Sequence, residues 1–65
     1  MTKEEIGTAI ANQRKAQGLS IRQLAKMSEI STTTLQGVEK GWYNVGIETY
    51  LKLAELLNLS LKIEN

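Results

Sequence analysis

Apolar residues recur at three- and four-residue intervals along most of the chain, which is the spacing typical of amphipathic helices. The first stripe contains Ile6 and Ile10. Thr2 and Glu5 form a capping box immediately before it, which predicts a helix that starts there. Gly18 follows the last turn and is suited to the left-handed conformation that ends a helix.

A wider apolar face between residues 47 and 57 predicts another helix near the end of the chain. Gly46 stands where this helix would begin, and Asn58 stands where it would end because asparagine tolerates the left-handed conformation. The residues that we expect on its buried face are Ile47, Tyr50, Leu51, Ala54 and Leu57.

The middle of the chain contains two short helical patterns that are joined by about three residues. Ser20 and Gln23 form a second capping box, which predicts a helix over residues 21–28. Ser31 is a capping residue for the next helix, which we expect to run through Lys40. Two short helices joined by so tight a turn are typical of a helix-turn-helix, in which the second helix enters the major groove of DNA.

The spacing of apolar residues changes near the end of the chain. Leu59, Leu61 and Ile63 alternate with polar residues, which favours a half-buried strand. An unpaired strand leaves backbone groups unsatisfied, so we expect it to pair with the same strand of a second copy. The alternative is that the preceding helix continues. The chain therefore divides into a helix-turn-helix domain over 1–58 and a dimerisation tail over 59–65.

Composition limits the chemistry that 65 residues can carry. The chain has room for one domain and contains neither cysteine nor histidine. Disulfides, thiolate or imidazole metal sites and histidine-dependent catalytic triads are thereby excluded. We expect no enzyme activity, no metal and no cofactor.

The charge distribution fits a DNA partner and ordinary scatter on a soluble surface equally well, and hydropathy favours a cytoplasmic location. The net charge is only +1, but five basic and two acidic residues lie between Arg14 and Lys40, a local balance of +3. A basic middle is typical of a small domain that presents one face to phosphates. No apolar run approaches the roughly 20 residues of a membrane span, and the N-terminus does not resemble a signal peptide.

The chain resembles the Xre/Cro-type helix-turn-helix domain of bacterial and phage regulators. The matching patterns are IG..I...RK..GLS..QLA from residue 6, IS..TL..VEKG from residue 30 and N..IET.LKLAELL from residue 44. This resemblance implies an all-α bundle of four to five helices of the lambda-repressor type. The tail LNLSLKIE also resembles the antitoxin branch, which implies a toxin protein as a possible partner.

The helix that starts after Ser31 carries the candidate base contacts. With about 100° between successive residues, Leu35, Val38 and Glu39 point into the protein, whereas Thr33, Gln36, Gly37 and Lys40 point away from it. Threonine and glutamine can hydrogen-bond base edges. The resemblance places base reading on Thr32, Thr33, Gln36 and Gly37.

Phosphate contacts are expected at the starts of the second and third helices and in the loop after the third, because helix N-termini attract anions. The side chains assigned to phosphate are Ser20, Arg22, Ser31, Lys40 and Tyr43. Trp42, beside Tyr43, could stack on the DNA backbone, join a subunit interface or cover the core, and we favour packing.

Three positions depart from the pattern of the family. Ile21 stands where a glutamine often binds phosphate, Glu29 where a left-handed glycine is usual, and Gly37 leaves the centre of the reading helix without a side chain. We therefore expect modest direct specificity that is supplemented by DNA shape.

Arg14 and Glu39 are both expected to point towards the core, and the resemblance implies the same pairing. A pair of opposite charges in that position is a structural ion pair rather than a catalytic one.

The leading interpretation is a homodimeric transcriptional repressor that occludes a promoter by binding a near-palindromic site on double-stranded DNA. The alternative is a protein-interaction module, for example an antitoxin that chiefly binds a toxin, with weak or no DNA binding.

Overall fold

A computed structural model describes residues 2–61, and four helices account for the regular structure of this part of the chain. They are α1 (Lys3–Ala16), α2 (Ile21–Ser28), α3 (Thr32–Glu39) and α4 (Ile47–Leu56). The all-α class and the position of each helix agree with the prediction. No helix within residues 2–61 is long and apolar enough to cross a membrane.

The helices begin at the predicted capping residues. The Thr2 hydroxyl accepts a hydrogen bond from the Glu5 N–H at 3.1 Å, while the Glu5 carboxylate accepts one from the Thr2 N–H at 3.0 Å. That backbone hydrogen bond holds the pKa of Glu5 below its usual value. Ser20 and Gln23 form the same reciprocal pair at the start of α2. Local sequence signals therefore determine where α1 and α2 begin.

The turns that end the helices include two left-handed residues other than glycine. Glu29 has a φ of 60° directly after α2, and Asn58 has a φ of 53° after α4. Both conformations were predicted. Glu29 adopts a conformation that costs roughly 1–2 kcal/mol for a residue with a Cβ atom.

The core lies where all four helices meet. Its fully buried large side chains are Ile10, Leu24, Leu35, Val38, Leu53 and Leu57. Gly7 lets α1 approach α3 closely, because a Cβ atom there would lie 2.1 Å from the Val38 carbonyl oxygen. Gln13 and Gln17 on α1 both donate to the Leu57 carbonyl at the end of α4. These contacts connect the first helix to both the third and the fourth.

The predicted buried face of α4 was partly wrong. Tyr50, Ala54 and Leu57 are buried as expected, but Ile47 is 51% exposed and Leu51 is 48% exposed. Leu53 is completely buried in their place. The apolar face of α4 is wide enough for two orientations, and packing against α1 and α2 selected the one that exposes Ile47 and Leu51.

The predicted strand is not seen in the described part of the tail. Residues 59–61 are irregular, and the Leu59 N–H donates to the Ala54 carbonyl at 2.8 Å, which closes the end of α4. Leu59 and Leu61 are half-buried against the core of their own chain. Ile63, the third predicted dimerisation residue, lies outside the described residues. The alternative of a continued helix is wrong, because α4 ends at Leu56.

Candidate nucleic-acid interface

The outward face of α3 is polar and open to solvent. Thr33, Gln36 and Lys40 are exposed, whereas Thr32 is half-buried. On the opposite face Leu35 and Val38 are completely or almost completely buried. The structure thus brings the side chains of three predicted base readers, Thr32, Thr33 and Gln36, to one edge of the domain.

Gly37 departs from the predicted arrangement. It lies at the centre of the outward face by helical angle, yet it is buried rather than exposed. The ring of Tyr43 covers it, because a Cβ atom on Gly37 would lie 2.1 Å from the Cδ2 and Cε2 atoms of that ring. The expectation that Gly37 is open on the outward face was therefore wrong, and its assignment to base reading stays a prediction. The loop after α3 folds back onto the helix, and helical angle by itself does not predict such a contact.

The N-termini of α2 and α3 differ from those of α1 and α4 in charge. Neither α2 nor α3 has an acidic residue in its first turn. By contrast, α1 has Glu4 and Glu5 there, and α4 has Glu48. A carboxylate in the first turn offsets the partial positive charge of a helix N-terminus. The two helices of the helix-turn-helix are therefore the ones whose N-termini remain suited to phosphate.

The predicted phosphate-binding side chains lie around these N-termini. Ser20, Arg22 and Ser31 are exposed at the starts of α2 and α3. Ser31 accepts from the Thr34 N–H at 3.1 Å and donates to the Thr34 hydroxyl at 2.9 Å. These two hydrogen bonds fix the first turn of α3, which adjoins the exposed polar residues of the same helix.

A basic groove of about 360 Å³ lies between the end of α1, the start of α2 and the end of α3. Its walls include Lys15, Lys40 and Gln36, together with Ile21. Lys15 was not among the predicted phosphate contacts. Its position beside Lys40 depends on the packing of α1 against α3, although the adjacent basic residues at 14 and 15 were a sequence signal for it.

Ile21 stands where the family often has a glutamine that binds phosphate. It is half-buried and packs against the core while lining the basic groove. An aliphatic side chain there offers neither a hydrogen bond nor a charge to a phosphate. Backbone N–H groups at the start of α2 and the neighbouring lysines are therefore the available anion-binding groups.

Arg14 and Glu39 form the predicted ion pair and also line this groove. Arg14 Nε donates to one carboxylate oxygen at 2.8 Å and Nη2 to the other at 3.0 Å. Arg14 Nη1 also donates to the Leu19 carbonyl at 2.7 Å. The two side chains are only 12% and 9% exposed. The hydrogen bonds to Glu39 raise the pKa of Arg14, so the guanidinium stays charged. Because its N–H groups bind Glu39 and Leu19, Arg14 is not assigned to phosphate binding.

Trp42 does not pack into the core, contrary to the favoured prediction. It is 65% exposed, and the Lys40 ammonium lies 4.7 Å from the centroid of its ring. Such a cation–π contact limits the positions that Lys40 can take. Tyr43, the next residue, is 43% exposed. The loop after α3 therefore presents two aromatic rings beside the polar face of the helix.

Comparison with known proteins agrees with this geometry. A helix-turn-helix family, HTH_3, matches residues 10–63. The restriction-modification controller protein C.AhdI from Aeromonas hydrophila has a similar solved structure, with a TM-score of 0.80 and 34% identity. The similarity covers 89% of this chain and 88% of that one. No curated protein matches.

The matching stretch includes α2, α3 and α4 entirely, so it contains the two helices whose exposed edge was described above. The chain belongs to the helix-turn-helix family and is a DNA-binding transcription regulator of the Xre type.

Proposed function

We propose that the protein is a homodimeric repressor that binds a near-palindromic site on double-stranded DNA and occludes a promoter. The observation that carries this proposal is the exposed polar face of α3, with Thr33, Gln36 and Lys40 beside two helix N-termini that have no carboxylate in their first turn. The relative C.AhdI is a restriction-modification controller, which supports a regulatory role for this chain.

The dimensions of α3 suit insertion into the major groove. An α-helix with its side chains is about 10–12 Å across, which is close to the width of about 12 Å of the major groove of B-form DNA. Gln36 can pair with the N6 and N7 atoms of adenine, and Thr32 and Thr33 can hydrogen-bond base edges or touch a thymine methyl group. Lys40, Arg22 and Lys15 supply phosphate contacts that set the register of α3 on the duplex.

A dimer compensates for the small number of base-reading side chains in one copy of the chain. Two reading helices related by a two-fold axis would lie about 34 Å apart, one turn of DNA, and double the number of specific contacts. Ile47 and Leu51 on α4 are exposed apolar residues away from α3, and they are candidate interface residues together with the tail.

Selection of bound sequences from random duplex DNA tests this function directly. We expect a near-palindromic site whose half-sites are one helical turn apart. The affinity should fall about a thousandfold between 50 and 200 mM salt if six phosphates are contacted per complex, because phosphate binding releases counterions. A non-palindromic site or an affinity independent of salt would contradict the proposal.

Two matched pairs of variants locate the contacts. Gln36→Ala should relax the preference at one base pair per half-site, whereas Asn12→Ala, an exposed amide on α1, should leave it unchanged. Lys40→Ala should weaken binding to all sequences and reduce the salt slope by about one per half-site. Lys52→Ala removes an exposed lysine from α4 and should leave the slope unchanged.

A further inference from the structure

Tyr43 occupies the place on α3 where the side chain of residue 37 would be. Position 37 lies about 200° from Leu35 around the helix, which is close to the middle of the outward face. Three ring atoms of Tyr43 lie within 3 Å of the position that a Cβ atom of residue 37 would have. The centre of the outward face is therefore formed by an aromatic ring that the loop supplies.

Three hydrogen bonds, two donated by the loop backbone and one accepted by it, hold the backbone that carries this ring in position. The Trp42 N–H donates to the Gly37 carbonyl at 2.8 Å, and the Tyr43 N–H donates to the same oxygen at 3.4 Å. The hydroxyl of the buried Tyr50 donates to the Tyr43 carbonyl at 3.4 Å. The loop is thus tied both to α3 and to α4.

The backbone of Tyr43 is fixed by these hydrogen bonds, but its ring is not buried. One face lies against Gly37, while the side chain as a whole remains 43% exposed. The ring covers Gly37, which follows Thr33 by one turn and adjoins Gln36 in the chain, and both of these polar residues are exposed. A purely structural wedge would place its apolar surface in the core, as Tyr50 does.

We propose that Tyr43 reads a base pair, by placing its ring against the C5-methyl group of a thymine in the major groove. This inference rests on the proposed function and changes the predicted role of Tyr43 from phosphate binding to base reading. Apolar side chains distinguish thymine by this methyl group, the one apolar feature of the major-groove edge. Burial of one methyl group corresponds to an affinity difference of about fourfold.

Replacement of thymine by deoxyuridine tests the contact, because it removes only the methyl group. In the selected site each thymine would be replaced in turn, and the affinity of the full-length protein measured by fluorescence anisotropy. We expect a loss of about fourfold at one thymine per half-site. The loss should persist in Tyr43→Phe, which retains the ring, and disappear in Tyr43→Ala.

Trp42→Ala is the matched control, since it removes the neighbouring exposed ring that does not cover α3. It should retain the deoxyuridine effect at the same position. If Tyr43→Ala does not fold, as judged by circular dichroism, Tyr43→Gln replaces it with a polar side chain of similar reach and the same expectation.

The outcomes separate the inference from the proposed function. Salt-dependent binding to a palindromic site, with deoxyuridine losses that are the same in the parent and in Tyr43→Ala, overturns the role of Tyr43 and leaves the repressor proposal intact. A selected site in which no thymine methyl group affects affinity does the same. Failure to select any sequence overturns both.

Discussion

Gly7 and Gly37 each lie against a neighbouring group so closely that a Cβ atom would approach it to 2.1 Å, yet the two neighbours differ in kind. At Gly7 the neighbour is the backbone oxygen of Val38, which also accepts a hydrogen bond from the Gly41 N–H at 3.1 Å. At Gly37 the neighbour is the side chain of Tyr43. A backbone atom inside a packed helix pair cannot move aside, whereas a partly exposed side chain can.

The surroundings of the two glycines differ in the same way. Close to Gly7, the nearly buried pair of Arg14 and Glu39 joins α1 to α3. Beyond Gly37, the loop carries exposed aromatic rings and the exposed Lys40. One side of α3 is therefore held by backbone packing and a nearly buried ion pair, and the other is covered by a partly exposed side chain. We call the face of α3 that packs on Gly7 and Arg14 the Gly7 side, and the face that is covered by Tyr43 the Gly37 side. Substitutions on the Gly7 side should change the free energy of unfolding. Substitutions on the Gly37 side should chiefly change DNA binding.

The largest effect is expected for Arg14→Met. It leaves the Glu39 carboxylate, whose side chain is only 9% exposed, without its partner. The free energy of unfolding should fall by about 3–5 kcal/mol, measured by urea denaturation followed by circular dichroism. Lys15→Met, an exposed substitution on the same helix, should change it by less than about 0.5 kcal/mol. An Arg14→Met variant as stable as the parent would show that the pair does not fix the Gly7 side.

Gly7→Ala should produce the next largest effect. The added methyl group forces α1 away from the Val38 carbonyl, and overpacking of this kind costs about 1–3 kcal/mol. The loss should occur although alanine favours helix by about 1 kcal/mol over glycine. Thermal unfolding measures it, with Thr8→Ala at the exposed neighbouring position as the control. A Gly7→Ala variant that melts at a higher temperature than the parent would argue against the close backbone approach.

Gly37→Ala should have the smallest effect on stability. The gain in helix propensity, about 1 kcal/mol, offsets the contact that is lost when the Tyr43 ring moves aside. We expect the free energy of unfolding to stay within about 1 kcal/mol of the parent value, while the thymine preference at the position assigned to Tyr43 weakens. Destabilisation as large as that of Gly7→Ala would mean that both sides of α3 are equally rigid.

Much of the fold could be predicted because its signals are local. The Thr2–Glu5 and Ser20–Gln23 boxes each act over three residues, so they mark helix starts before any tertiary contact forms. The left-handed Glu29 was expected from the resemblance to regulators of the Xre type, which usually have glycine at this turn. The Arg14–Glu39 pair was expected because both residues point towards the core, and the resemblance implies the same pairing.

The candidate site could be predicted only in part. Thr33 and Gln36 are exposed as expected, because a helix whose inward face is fixed by Leu35 and Val38 has a determined outward face. The contact of the Tyr43 ring with Gly37 was not predicted, because it depends on the path of the loop after α3. The predicted strand is not seen in residues 59–61, where Leu59 packs on the core of its own chain.

The sequence by itself determined where the four helices within residues 2–61 begin and most of the face of α3 that meets solvent. These properties follow from helical periodicity and from capping bonds between residues that are close in the chain. Only the tertiary structure decided that Leu53 rather than Leu51 is buried, that Lys15 joins Lys40 in a groove and that Tyr43 replaces the missing side chain of Gly37. Each of these depends on how segments distant in the chain are oriented, and such an orientation is set by packing of the whole core rather than by any local pattern.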